Sequence, residues 1–306
     1  MNRKIVVLGS SNTDMIVNVE RVPRPGETLL GGAFSMAAGG KGANQAVAVA
    51  RSGGEVSFIC KLGRDLFGDQ ALAGFRKDGI NVRYVLRDPA SPSGVALIFV
   101  GRDGENSIGV ASGANANLTP LEVNRFKDVI SGSRILLMQL ETPLSAVSSA
   151  AKIAARNGVT VILNPAPACP LPAELLKHIS ILTPNETEAS LLSGMPVKDV
   201  RDAEKAARKI MARGVKTVIV TLGAKGALVV TREGAVRVPG FKVRAKDTTA
   251  AGDTFNGALA TALSEAKPLM EAVRFAGGAA AISVTRPGAQ PSVPFRPEID
   301  AMLKRC

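Results

Sequence analysis

Six short runs, hydrophobic along their whole length, set the strongest limit on what this chain can fold into: KIVVLG (4–9), VSFIC (56–60), RILLMQL (134–140), VTVILN (159–164), ISILTP (179–184) and KTVIVTLG (216–223). A strand with one wet face alternates apolar and polar residues, whereas an unbroken Val/Ile/Leu run suits a strand covered on both faces. Amphipathic stretches lie between the runs, among them 43–53, 144–158 and 199–214, each ending near a glycine as helices commonly do. Strand and helix in alternation predict an α/β fold: a doubly wound, mostly parallel central sheet flanked by helices.

Two stretches depart from that rhythm. Residues 14–40 and 93–115 carry short strand-like runs joined by Pro-Gly or Asp-Gly turns, with no helical period. They predict hairpins of a small second sheet beside the strand ends where doubly wound folds bind ligands, and hence a β-sheet lid. No repeat of domain scale and no Ser/Gly/Pro-rich linker divides the 306 residues, so residues 1–306 are expected to form one unit with a lid.

The formal charge of +12 invites a nucleic-acid reading. The basic residues are scattered, however, and with no Trp and one Tyr there is little for bases to stack on. A positive field that attracts phosphorylated small molecules is the economical reading, with no nucleic acid and no membrane as partners. Cys60, Cys169 and Cys306 include no C-x-x-C pair, which indicates a reducing, cytoplasmic setting rather than a disulfide framework or thiolate metal site. The apolar run after the basic start is too short for a signal-peptide core or membrane span.

Glycine-rich segments narrow the chemistry. AAGGKGANQA (37–46) fails the P-loop spacing, because Lys41 is followed by Gly42, and GSSNTD after the first run lacks G-x-G-x-x-G. Residues 39–42 read either as a flexible turn before a helix or as a close backbone approach to a polar ligand, with Lys41 and Asn44 as donors. In DTTAAGDTFNGAL (247–259), Ala250, Ala251 and Gly252 let backbone amides converge at a helix N-terminus, an anion-binding arrangement. Asp253 beside it reads as a proton acceptor or as an ordinary first-turn acid. In TPNETEASLL (183–192), Asn185 and Glu188 fit a magnesium-organising pair and a helix cap equally well. TLGAKGA (221–227) fits a hairpin turn and a nucleotide contact alike, and the single histidine, His178, reads as structural.

Together these segments resemble the ribokinase-like family of sugar kinases. The likeness is carried by AGGKGANQAVAVARSG (38–53) and DTTAAGDTFNGAL (247–259), with MQLE (138–141), LNPAPA (163–168), TPNETEA (183–189), TLGAKG (221–226) and VTRPGAQPSVP (284–294) in the same order, from about residue 5 to 303. The resemblance implies ATP-dependent phosphorylation of D-ribose at its 5-hydroxyl, with Mg2+ required, K+ activating and a homodimer formed through the lid. Kinases for 2-deoxyribose, fructose or a nucleoside are the nearest alternatives, and a non-catalytic sugar sensor is a more distant one.

The resemblance also implies roles. Asn12, Asp14, Gly40, Lys41, Gly42, Asn44 and Glu141 would bind the sugar together with Asp253, which would be the catalytic base. The amides of Ala250, Ala251 and Gly252 would form the anion hole. Asn185, Thr221, Leu222, Gly223, Ala224, Lys225, Gly226, Gly252, Asp253 and Gly277 would contact the nucleotide. Asn185 and Glu188 would organise Mg2+ through water, and Asp247, Thr249, Ser283, Arg286, Gly288 and Ser292 match a potassium site. Two positions differ from the common family pattern: Ala250 stands where Gly is usual, and Gly277 where His or Asn is common near the adenine.

Overall fold

A computed structural model describes residues 3–103 and 105–304. The lid segment 93–115 is therefore described except at residue 104, and Cys306 lies outside the described residues.

The main sheet holds nine strands in the order β5 (Val85–Asp88), β4 (Glu55–Gly63), β1 (Lys4–Leu8), β8 (Ile135–Met138), β9 (Thr160–Leu163), β10 (Ile181–Leu182), β11 (Thr217–Thr221), β12 (Ala227–Val230) and β13 (Ala235–Val238). From β5 to β11 all neighbours are parallel; β12 and β13 add an antiparallel hairpin at one edge. All six hydrophobic runs lie in this sheet. Five of the six strands are shorter than their runs, 179–184 contributing only Ile181–Leu182 to the ladder, whereas 56–60 lies within the longer strand Glu55–Gly63. β5 and β13 escaped the reading because each has only four residues and lies at a sheet edge, where one or both faces are partly wet.

The double winding is visible in single side chains. Val6 and Leu8 join the core under helices Leu144–Arg156 and Val200–Met211, while Ile5 and Val7 join the core under Lys41–Arg51, Ala251–Ser264 and Leu269–Ser283. Both faces of β1 are dry, so neither can tolerate a polar side chain, which explains the unbroken apolar run. Each such Val, Leu or Ile contributes about 1.5–3 kcal/mol by leaving water.

A second, four-stranded sheet runs in the order β3 (Ala33–Gly39), β2 (Asn12–Asn18), β6 (Gly94–Val100) and β7 (Asn106–Ala111). β2 pairs parallel with β6, and the other two pairs are antiparallel. The expected small sheet is thus present, beginning at Asn12, two residues earlier than expected. Chain order in the main sheet reverses between β1 and β8, and β2 departs from the carboxyl end of β1. That reversal is where open α/β sheets place their ligands.

Candidate active site

The loops leaving β1 and β8 meet across this switch point. Ser10 Oγ donates to Glu141 Oε2 at 2.5 Å, and the same carboxylate oxygen accepts the Lys41 backbone N–H at 2.9 Å. Gly40, with φ 86°, turns the chain out of β3 and into helix Lys41–Arg51. A Cβ on Gly40 would stand 2.6 Å from Asn12 N, and one on Gly42 would stand 2.5 Å from Ser10 N. Gly40 and Gly42 are therefore required by close packing against residues 9–12, and the flexible-turn reading of 39–42 is replaced by a tight turn running directly into the helix.

Asn12 and Asp14 stand on β2, and their polar ends are set by neighbours. Asn115 is buried; it accepts the Ser11 backbone N–H at 2.9 Å and donates to Asn12 Oδ1 at 2.8 Å. Asn12 thus has its carbonyl engaged and its Nδ2 left to face the adjoining cavity of about 430 Å3, which Asn12, Asn115 and Glu141 line. Burial, reinforced by Glu141 and Asp253, pushes the Asp14 carboxyl up to about 6, with Lys41 pulling the other way.

Asp253 lies in the first turn of helix Ala251–Ser264, which is threaded against the Lys41 helix. Its Oδ2 accepts from Asn44 Nδ2 at 3.0 Å and its Oδ1 from Gln45 Nε2 at 2.9 Å. Burial raises its pKa, while Lys41, Asn44 and Gln45 favour the charged form and Glu141 opposes it. Burial works against the charge on Lys41, yet Asp253, Glu141, Glu188 and Asp14 together raise its pKa. One cation at the centre of four carboxylates keeps the site from accumulating unbalanced negative charge.

No side chain caps the N-terminus of the Ala251 helix, and the N-cap Ala250 has φ 56° and ψ 15°. That left-handed conformation costs a residue with a Cβ about 1–2 kcal/mol, a cost that glycine would not carry. Of the three amides assigned to an anion hole, Ala251 N–H bends back to Thr248 O at 3.2 Å, while a Cβ on Gly252 would meet nothing within 4 Å. The helix start is held from behind: Asn256 donates to Gly252 O at 2.8 Å and accepts from Thr183 Oγ1 at 2.6 Å.

Beyond this helix start lies a cavity of about 570 Å3. Of the residues expected to contact the nucleotide, Asn185, Thr221, Gly223, Ala224, Gly226, Gly252 and Gly277 line it. Leu222 and Lys225 do not: Leu222 turns into the core, and Lys225 closes a 3-10 turn, Gly223–Lys225, between β11 and β12. Asp253 does not line it either: its carboxylate is turned to Asn44 and Gln45. The hairpin reading of TLGAKGA holds, since β11 pairs antiparallel with β12. Phe241 forms part of the wall beside Gly277, and apolar residues such as Val243, Val273 and Val284 complete it.

Asn185 and Glu188 form a full capping box: Glu188 N–H donates to Asn185 Oδ1 at 2.8 Å, and Asn185 N–H donates to Glu188 Oε2 at 2.9 Å. The cap reading is realised. It leaves Glu188 buried yet within the electrostatic reach of Lys41 and Asp253, with a pKa raised chiefly by burial.

The residues expected to form a potassium site converge only in part around Asp247. Its Oδ1 accepts the Thr249 N–H at 2.9 Å and Oγ1 at 2.6 Å, and its Oδ2 accepts the Gly288 N–H at 2.7 Å. Asp247 N–H donates to Val284 O at 3.2 Å, next to Ser283. The Arg286 guanidinium turns away to pair with Glu298, and Ser283 and Ser292 spend their hydroxyl protons on Ala280 O and Ala289 O. The set is rich in oxygen with a single carboxylate, which fits a hard monovalent cation, and Arg286 can offer it only a backbone carbonyl. Among the described residues no cluster of three His, Cys, Asp or Glu side chains is placed to hold a metal ion, and no helix is long and apolar enough to cross a membrane.

Sequence reasoning missed Ser10, Gln45, Gln139, Asn164 and Asn115: Ser10 holds Glu141, Asn115 holds Asn12, and Gln45, joined to Gln139 and Asn164, holds Asp253. Gln45, Gln139 and Asn164 stand inside the motifs that carry the resemblance, so the signal was present without a role attached.

Residues 2–296 match the model of the pfkB family of carbohydrate kinases. A Haemophilus influenzae protein named ribokinase is 50% identical over 307 residues, covering 100% of both chains. A Salmonella typhi protein named deoxyribokinase is 40% identical over 291 residues, covering 95% of each. Among solved structures, Arabidopsis thaliana ribokinase in complex with ribose and ATP aligns with a TM-score of 0.94 and 37% identity, over 99% of both chains. The chain therefore belongs to the pfkB family of carbohydrate kinases.

Proposed function

We propose that the protein transfers the γ-phosphoryl group of ATP to the 5-hydroxyl of D-ribose, giving D-ribose 5-phosphate and ADP. One observation carries this reading: Asp253, held by Asn44 and Gln45 among the charged groups of Asp14, Lys41 and Glu141 that suit a sugar, directly follows Gly252 in the wall of a cavity of about 570 Å3 suited to a nucleotide. The full-length likeness to the Haemophilus influenzae ribokinase supports ribose as the acceptor.

Asp253 accepts the proton of the sugar hydroxyl as its oxygen attacks phosphorus and the bond to ADP breaks. Gly252 and its neighbours present the helix N-terminus to the charge on the transferred group, and Lys41 adds a cation from the sugar side. Asn12, Asp14, Asn44, Glu141 and the Gly40–Gly42 turn orient the sugar, so that its hydroxyl meets the base in line with the phosphate. The second sheet acts as a lid over them. In the nucleotide cavity Phe241 and the valines offer the base an apolar slot, since Gly277 has no side chain to recognise it.

Bound Mg2+, organised through water by Asn185 and Glu188, would neutralise phosphate charge. A potassium ion held by Asp247, Thr249 and carbonyl oxygens near Ser283, Arg286, Gly288 and Ser292 would stiffen the 247–252 loop. We also assign a homodimer to the outer face of the second sheet, where Phe34, Met36 and Leu97 share one side and stay exposed, and a cytoplasmic location to the protein.

The Salmonella typhi relative makes 2-deoxyribose the second reading. A panel of D-ribose, 2-deoxyribose, fructose and nucleosides with coupled ADP detection separates the two. D-ribose is expected to show the highest kcat/KM; a higher value for 2-deoxyribose would overturn the acceptor assignment, and ribose binding without ADP release would mark a sensor.

A further inference from the structure

Behind Asp253 lies a chain of three buried amides that the reaction scheme above does not use. Gln45 and Gln139 are fully buried, and Asn164 is nearly so. Gln45 Nε2 donates both to Asp253 Oδ1 at 2.9 Å and to Asn164 Oδ1 at 3.1 Å. Its Oε1 accepts from Gln139 Nε2 at 2.6 Å. Asn164 Nδ2 in turn donates to Thr183 O at 3.3 Å, on the segment that braces the start of the Ala251 helix.

The orientation of Gln45 follows from its neighbours. An ionised carboxylate only accepts, so Gln45 must present its NH2 to Asp253, and its carbonyl then needs a donor on the opposite side. Gln139 supplies it. Burying three amides is costly unless they are paired, so an apolar core would serve here if packing were their only purpose. Their hydrogen bonds instead run from one side of the switch point to the base.

We propose that Gln45 is a positioning residue for phosphoryl transfer: it aims the Asp253 carboxylate at the acceptor hydroxyl, and Gln139 locks the Gln45 amide in the orientation that lets it do so. This rests on the reading of Asp253 as the base. Without Gln45 the carboxylate keeps Asn44 on Oδ2 but loses the partner on Oδ1, so it can rotate about that single bond. It also loses a donor that favours its charged form, while burial, Glu141, Asp14 and Glu188 still oppose ionisation and only Lys41 and Asn44 favour it. A base with a higher pKa stays protonated to a higher pH. The acid limb of kcat then moves toward neutrality.

The test compares the full chain with Gln45→Met, Gln139→Met, the double variant and Asp253→Asn, with D-ribose and MgATP across a pH series. Gln45→Met is expected to lower kcat roughly 10- to 100-fold with little change in either KM, and to move the acid limb upward. Gln139→Met should do the same to a smaller extent, and the double variant should be no worse than Gln45→Met, because Gln139 acts through Gln45. An inactive Asp253→Asn beside a Gln45→Met enzyme with unchanged kcat and an unmoved limb overturns the proposal alone; so do additive losses in the double variant. A fully active Asp253→Asn overturns the base assignment and the proposal together. If Gln45→Met does not fold, Gln139→Met decides by the same two readouts, and an unmoved kcat and limb there overturn the proposal.

Discussion

Asn44 Nδ2 donates to Asp253 Oδ2 at 3.0 Å although the two residues are 209 positions apart. The bond ties the first turn of helix Lys41–Arg51 to the first turn of helix Ala251–Ser264, so both family signatures act as one structure. Asn44 and the proposed base cannot drift apart without breaking a buried, charge-assisted contact.

Asn115 fixes Asn12 by occupying its carbonyl, which leaves the Asn12 NH2 for the sugar that we propose it binds. Asn115→Ala is expected to raise the KM for D-ribose by about tenfold, the cost of a single lost hydrogen bond of about 1.4 kcal/mol, while kcat falls less. Steady-state kinetics measures both. An unchanged KM would show that Asn12 does not need this support.

Much of the fold was legible because burial on both faces leaves a mark on sequence: the runs containing Val6, Leu137 and Val220 cannot be polar anywhere along their length. Asp253, Asn44 and Asp247 were legible because they stand in short, ordered motifs. Asn115 was not, since its role exists only once the 3-10 turn Gly113–Asn117 that follows β7 is folded against the loop after β1. The same holds for Gln45 and Gln139, which pair across 94 positions. The dual reading of Asn185 and Glu188 could not be resolved by spacing, because a capping box and a water-organising pair use the same interval.

Gly257 marks the crossing of the two signature helices. A Cβ there would stand 2.5 Å from Ala48 Cβ and 2.7 Å from Gln45 O, contacts that the backbone must move to relieve. Gly257→Ala is therefore expected to lose about 1–3 kcal/mol of stability, despite the better helix propensity of Ala, and to lower turnover by displacing Gln45 and Asp253 together. Urea unfolding measures the first and ADP release the second; a stabilised, fully active variant would contradict the packing argument.

Asp247 holds Thr249 and Gly288 at one point. Its carboxyl pKa is lowered: burial pushes it upward, but hydrogen bonds from Thr249 and Gly288 outweigh that. The group therefore stays charged to low pH, as a cation ligand requires. Activity of the unaltered enzyme is expected to rise with added KCl, and Asp247→Ala is expected to flatten that response. Equal activation in both proteins would remove Asp247 from the cation site.

The central claim is that Asp253 takes the proton from the sugar hydroxyl. Asp253→Asn keeps the shape of the side chain and removes the proton acceptor, so D-ribose binding measured by calorimetry should persist while ADP formation falls by about two to four orders of magnitude. Turnover close to that of the unaltered protein, with ribose bound as before, would contradict the account.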